Sequence, residues 1–147
     1  MALGLDVGTR RIGVAVSDGL GVLASPLTTL LRPTDAAAVA AIGALVQEHA
    51  AELLVVGLPL SETGERTEQT ARIEAFGRKL RSLPGTRVVF SDERLSSATA
   101  ARMLVEGRTG VTHAHSLRRR EAARRRLDAA AAAVILQVYL DQLRATG

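Results

Sequence analysis

The sequence predicts an α/β fold: a mixed five-stranded sheet, three antiparallel strands followed by parallel additions, with helices on both faces. Three observations lead there. Three strand-like runs separated by tight turns open the chain, helix–strand units follow, and one long helical run closes it. The 147 residues are the size of one ordinary domain, expected to span 1–147. With 47% hydrophobic and 23% charged residues the chain is expected to be globular and soluble. No apolar run reaches the roughly 18 residues of a membrane span, and no signal segment opens the chain, so no membrane partner is expected. The absence of cysteine excludes disulfides and thiolate metal sites and fits a cytoplasmic protein.

The elements follow in order. Ala2–Val7 is apolar with glycine interruptions, residues 8–10 turn, and Arg11–Ser17 alternates Ile12, Val14 and Val16. A second turn at 18–21 leads to a strand over 22–31. Pro33 breaks the pattern, and Thr34 or Asp35 caps a helix reaching about Ala50. Residues 53–57, β-branched and without alternation, suit a strand covered on both faces. A helix over 65–83 carries Thr70, Ile73, Phe76, Gly77 and Leu80 along one side. Beyond Pro84-Gly85 come a strand at 88–90, a helix at 96–106, a loop at 107–116 and a helix from 117 to about 145.

Charge is local. Residues 102–126 hold eight Arg and two acids, whereas the rest of the chain is slightly acidic. Such a stretch is the footprint of a polyanion partner, or else a solvated helix face. Aromatics are only 2% of residues, which argues against base stacking as the main contact with a nucleic acid.

Three carboxylates occupy costly places. Asp6 interrupts the apolar first strand; alternation sets Leu3, Leu5 and Val7 on one face and Gly4, Asp6 and Gly8 on the other, leaving open space above it. It could instead bind the turn amides or an arginine. Glu93 follows the strand at 88–90, where open α/β sheets place ligands, although it or Asp92 could equally cap the next helix. Asp128 shares a helix face with Ala131, Ala132 and Ile135, and the run of five alanines from Ala129 suggests a helix pressed close to the sheet. The alternative for Asp128 is a bridge to Arg124 or Arg125 of its own helix. Converging in one crevice, the three acids would repel unless a cation intervened; all-oxygen ligands suit Mg²⁺ or Mn²⁺, ions that promote phosphodiester hydrolysis.

Four strings occur in order: Gly4-Leu5-Asp6-Val7-Gly8-Thr9-Arg10-Arg11-Ile12-Gly13-Val14-Ala15, Val55-Val56-Gly57-Leu58-Pro59-Leu60, Asp92-Glu93-Arg94-Leu95-Ser96 and Leu127-Asp128-Ala129-Ala130-Ala131-Ala132. Over nearly the whole chain this resembles the YqgF family, also called the RuvX or pre-16S rRNA nuclease family, relatives of the RuvC-type Holliday junction resolvases. The resemblance implies a ribonuclease H-like fold and a bacterial cytoplasmic enzyme that processes the 5′ end of the 16S rRNA precursor, acting on pre-ribosomal particles. The family's motif acids fall on Asp6, Glu93 and Asp128, as catalytic and metal-binding residues. Two departures stand out. A fourth carboxylate has no match, since Ala131 and Ala132 lie one turn beyond Asp128 and the strand at 53–57 ends without an acid. Arg126-Leu127 stands where family members commonly have Lys-Val.

Nucleic-acid contacts are expected from Thr9 and Arg10 in the first turn, Ser61 and Thr63 in the loop after the fourth strand, Arg94, and the basic Arg118, Arg119, Arg120 and Arg124. His113 and His115 read as solvent-exposed. Three other functions compete. A junction resolvase would need a dimer to cut two strands symmetrically. An ATP-binding module is suggested by Asp6-Val7-Gly8-Thr9, which also resembles the phosphate loop of the actin, Hsp70 and sugar-kinase group, though that group closes two such domains around its nucleotide. A non-catalytic RNA-binding factor would bind without cleaving.

Overall fold

The computed structural model describes residues 1–93 and 117–146. Their elements are β1 (Ala2–Val7), β2 (Arg11–Ser17), β3 (Ala24–Leu31), α1 (Asp35–Glu48), β4 (Leu53–Leu58), α2 (Glu68–Leu80), β5 (Arg87–Asp92) and α3 (Leu117–Thr146). The helix expected at 96–106, the loop at 107–116, Arg94, His113 and His115 lie outside the described residues. The five strands form one sheet in the order β3-β2-β1-β4-β5. The β1–β2 and β2–β3 pairs are antiparallel, whereas β4 joins β1 and β5 joins β4 in parallel. This is the mixed sheet the sequence predicts.

Strand alternation sorts the core into two halves. Leu3, Leu5, Ile12, Val14, Leu54 and Val56 point to one side, where they meet Ala38 and Ile42 of α1 and Ile73, Phe76 and Leu80 of α2. All five residues expected along the inner side of α2 are buried. The opposite side presents Ala2, Ala15 and Val55 to Ala131, Ala132, Ile135 and Leu136 of α3.

The α3 side has a floor of glycine. A Cβ added at Gly13 would stand 1.9 Å from the Asp128 carbonyl oxygen, and one at Gly4 would stand 2.8 Å from that of Ala132. Glycine below and alanine above let two backbones approach more closely than larger side chains would allow. The close seat expected from the alanine run is therefore real. The open space expected beside Asp6 is closed on the Gly4 side, where α3 fills it.

Element ends differ from the sequence reading for local reasons. β3 begins at Ala24 because the turn continues further: the Asp18 carboxylate accepts from the Val22 N–H at 2.8 Å, and the Asp18 N–H donates to the Leu23 carbonyl at 3.0 Å. Pro26, which has no N–H for the ladder, sits opposite Ala15 where the β2–β3 register shifts. α2 starts at Glu68 because residues 61–65 close their own turn, Ser61 N–H to the Glu65 carbonyl at 2.9 Å, and Thr67 then forms a capping box with Thr70. β5 reaches Asp92 because it pairs with β4 through Leu58.

Candidate active site

At the end of the sheet where β1 and β5 finish, a cleft of about 250 Å³ opens between α2 and α3. Asp6 of β1, Glu93 just beyond β5 and Asp128 of α3 all line it. Acids 122 residues apart in sequence thus line one cleft. Asp6 is only 5% exposed, and its cross-strand partner on β2 is Gly13, the residue on which Asp128 rests. The depth of α3 on the sheet therefore fixes Asp128 relative to Asp6. Glu93 lies over Gly57, where an added Cβ would come within 2.9 Å of its Oε1. Burial raises the Glu93 pKa above the ordinary glutamate value, and the neighbouring Asp92 charge raises it further.

Among the described residues, Arg11 and Arg124 line the cleft with the acids. Arg11, the first residue of β2, donates from Nε to Asp128 Oδ2 at 2.7 Å. Asp128 is thus paired across the fold rather than with Arg124 or Arg125 of its own helix. Arg124, one helical turn before Asp128, also lines the cleft. Gly8, Leu127, Gln69 and Ile73 complete much of the wall.

The turn bordering Asp6 is held from behind. Arg32 donates from Nη1 to the Gly8 carbonyl at 2.7 Å, and its own N–H donates to the Arg10 carbonyl at 2.8 Å. Its guanidinium lies 4.6 Å from the centre of the Phe76 ring and pairs with Asp35 at 2.9 Å. Asp35 in turn takes Lys79 of α2 at 2.7 Å; this contact, ahead of Arg32, draws the Asp35 pKa below its ordinary value. Turn, α1 and α2 are tied into one frame.

The other expected residues that the structure describes fall outside the cleft lining. Thr9 and Arg10 are exposed at the tip of the turn. Ser61 Oγ and Thr63 Oγ1 bond each other at 3.0 Å, and Ser61 Oγ also accepts the Glu65 N–H, so both hydroxyls serve their own loop. Arg118, Arg119 and Arg120 are exposed on the first turn of α3, outward of Arg124. Sequence reasoning missed Arg11, Gln69, Ile73 and Arg32. Alternation in β2 held a signal for Arg11, since it places Arg11 on the face of Gly13 and Ala15.

The strand order, the helices on both faces and the acids at the strand ends define a ribonuclease H-like α/β protein. Solved structures share that fold. A Thermus thermophilus RuvC in complex with a Holliday junction substrate superposes with a TM-score of 0.55 at 18% identity, covering 96% of this chain and 94% of that one. A fowlpox virus resolvase bound to Holliday junction DNA gives 0.51 at 8% identity, covering 97% of each chain. The chain belongs to the RuvX family, whose profile, described as Holliday junction resolvase, matches residues 1–142. Curated relatives carry the name "Putative pre-16S rRNA nuclease". That of Moorella thermoacetica is 45% identical over 145 residues, 99% of this chain and 97% of the relative. That of Synechococcus elongatus is 43% identical over 144 residues, 97% of this chain and 90% of the relative.

Proposed function

We propose that this protein is a divalent-metal-dependent nuclease that hydrolyses phosphodiester bonds at the 5′ end of the 16S rRNA precursor, in the cytoplasm and on pre-ribosomal particles. The observation that carries the reading is that Asp6, Glu93 and Asp128 all line one cleft. The name shared by the curated relatives supports the substrate.

The donor set fits a hard cation in its chemistry: three carboxylates, no imidazole or thiolate, and a glutamate whose burial favours the neutral form until positive charge arrives. Among the described residues no three acidic or histidine groups are drawn together as a ligand cage. Asp6, Glu93 and Asp128 would hold Mg²⁺ or Mn²⁺. Such an ion supplies a more acidic water and positive charge for the leaving oxygen.

The chain's own groups do the rest. Asp6 and Asp128 are set by β1 and by the seat of α3, so their spacing is rigid. Arg124 offers a guanidinium to a phosphate entering the cleft, and the exposed Arg118, Arg119 and Arg120 extend the positive field outward along α3. Thr9 and Arg10, exposed at the tip of the turn, would contact the substrate further from the reacting phosphate, and Arg94 would add a charge to that contact. Ile73 and Leu127 give the cleft an apolar side, which strengthens every charge interaction in it.

The test is a cleavage assay of the purified protein on precursor rRNA, single-stranded DNA and a four-way junction, with Mg²⁺ and Mn²⁺ in parallel. Asp6→Asn and Asp128→Asn should each lower the rate at least about a hundredfold while preserving the fold. Full activity in either variant overturns the assignment. The family description favours a second reading, a Holliday junction resolvase. Symmetric cleavage of the four-way junction by a dimer, with precursor rRNA left intact, would establish it.

A further inference from the structure

Asp128 is paired by a residue from the opposite end of the chain. Arg11 Nε meets Asp128 Oδ2 at 2.7 Å across 117 residues, and both side chains line the cleft with Asp6 and Glu93. The arginines of α3 stand nearer in sequence yet do not take this place. The Arg11 backbone is fixed, since its carbonyl accepts the Gly8 N–H at 2.9 Å and the residue pairs with Leu31 of β3. Its side chain is less confined, with 30% exposure against 17% for Asp128. A guanidinium on a rigid strand thus sits where a divalent ion would have to approach Asp128, and it can swing away without moving the sheet.

We propose that Arg11 is a built-in counter-cation of the site: it neutralises Asp128 when no metal is bound, and a divalent ion binds by displacing its guanidinium. The inference rests on the metal-dependent reading above. It accounts for a guanidinium held on the Asp128 carboxylate inside a cleft that Asp6 and Glu93 also line. A monovalent guanidinium in a partly exposed pair is a weak competitor, so a doubly charged ion wins, with an affinity reduced by the exchange.

Mn²⁺ alone is the probe, with calorimetric titration and thermal unfolding as readouts, so no cleavage is needed. Arg11→Gln should bind Mn²⁺ about three- to tenfold more tightly than the parent protein, as expected for removal of a partly exposed competing cation. In EDTA the variant should melt at a lower temperature than the parent, with Asp128 left without its partner, and saturating Mn²⁺ should close that gap. A gap that persists undiminished makes Arg11 a structural residue only and overturns the proposal, as does unchanged or weaker Mn²⁺ binding. If Arg11→Gln does not fold, Arg11→Met keeps much of the side chain's length without its charge; tighter Mn²⁺ binding by that variant supports the proposal, and unchanged binding overturns it. A parent protein with no response to Mn²⁺ refutes the metal reading itself, whereas a parent response that the variants leave unaltered refutes only the role of Arg11.

Discussion

Gly13→Ala is the most exposing test of how this fold sets its site. The added methyl would lie 1.9 Å from the Asp128 carbonyl oxygen and 2.3 Å from its carbon, both backbone atoms that cannot rotate aside. An ordinary C···O approach needs about 3.3 Å, so α3 or β2 must retreat by about 1.4 Å at this point. Overpacking of that kind costs about 3 kcal/mol, at the upper end of the usual range because the clash is with backbone. For a chain of this size that corresponds to a fall of about 6–12 °C in melting temperature. The retreat also carries Asp128 away from Asp6, whose strand partner is Gly13. Cleavage should therefore fall much further than the folded fraction does at the assay temperature. Gly19→Ala is the control, since an added Cβ there meets nothing within 4 Å. Urea unfolding and Mn²⁺-dependent cleavage would be measured on all three proteins. A Gly13→Ala variant as stable and as active as the parent would refute the reasoning that α3 is seated by backbone contact.

Glu93 has a pKa raised by burial and by Asp92, so the folded state holds its proton more tightly than the unfolded chain, and ionisation works against folding. In EDTA, Glu93→Gln should thus melt above the parent at pH 7, with the advantage shrinking as pH falls towards the ordinary glutamate range; an equal advantage at all pH values would contradict this. Replacing Arg118, Arg119 and Arg120 by Gln should reduce the slope of log affinity against log salt by about 0.7–0.9 for each phosphate no longer neutralised, measured by fluorescence anisotropy on RNA. Arg32→Ala should cost about 1–3 kcal/mol in urea unfolding, since it removes the bond to the Gly8 carbonyl, the stacking on Phe76 and a partner of Asp35.

Much of the architecture is legible because it is written in short-range periodicity. Alternation in Arg11–Ser17 and the spacing of Thr70, Ile73, Phe76 and Leu80 each report which side of an element is buried, and the structure agrees. The alanine run signals close approach, but nothing in the sequence matches it to its partners Gly4 and Gly13. Contacts between distant elements are the illegible part. Nothing local in Arg11 pairs it with Asp128, nor Arg32 with Gly8, because those meetings depend on how α3 and α1 dock. The same limit holds at Gly4: a small residue marks space, and the sequence does not say whether a ligand or a helix fills it. The chemistry of Ser61 and Thr63 suggests a role towards substrate, whereas their hydroxyls are engaged in closing their own turn.

The seat of α3 has a consequence for how the protein is made. A chain leaves the ribosome amino end first, and β1 to β5 are complete before Leu117–Thr146 emerges. Until then Ala2, Ala15 and Val55 lack the α3 side chains that pack on them, and the cleft lacks Arg124, Leu127 and Asp128. On the proposed reading, the nascent polypeptide stays inert towards the RNA-rich machinery synthesising it until the docking of α3 that also completes its core.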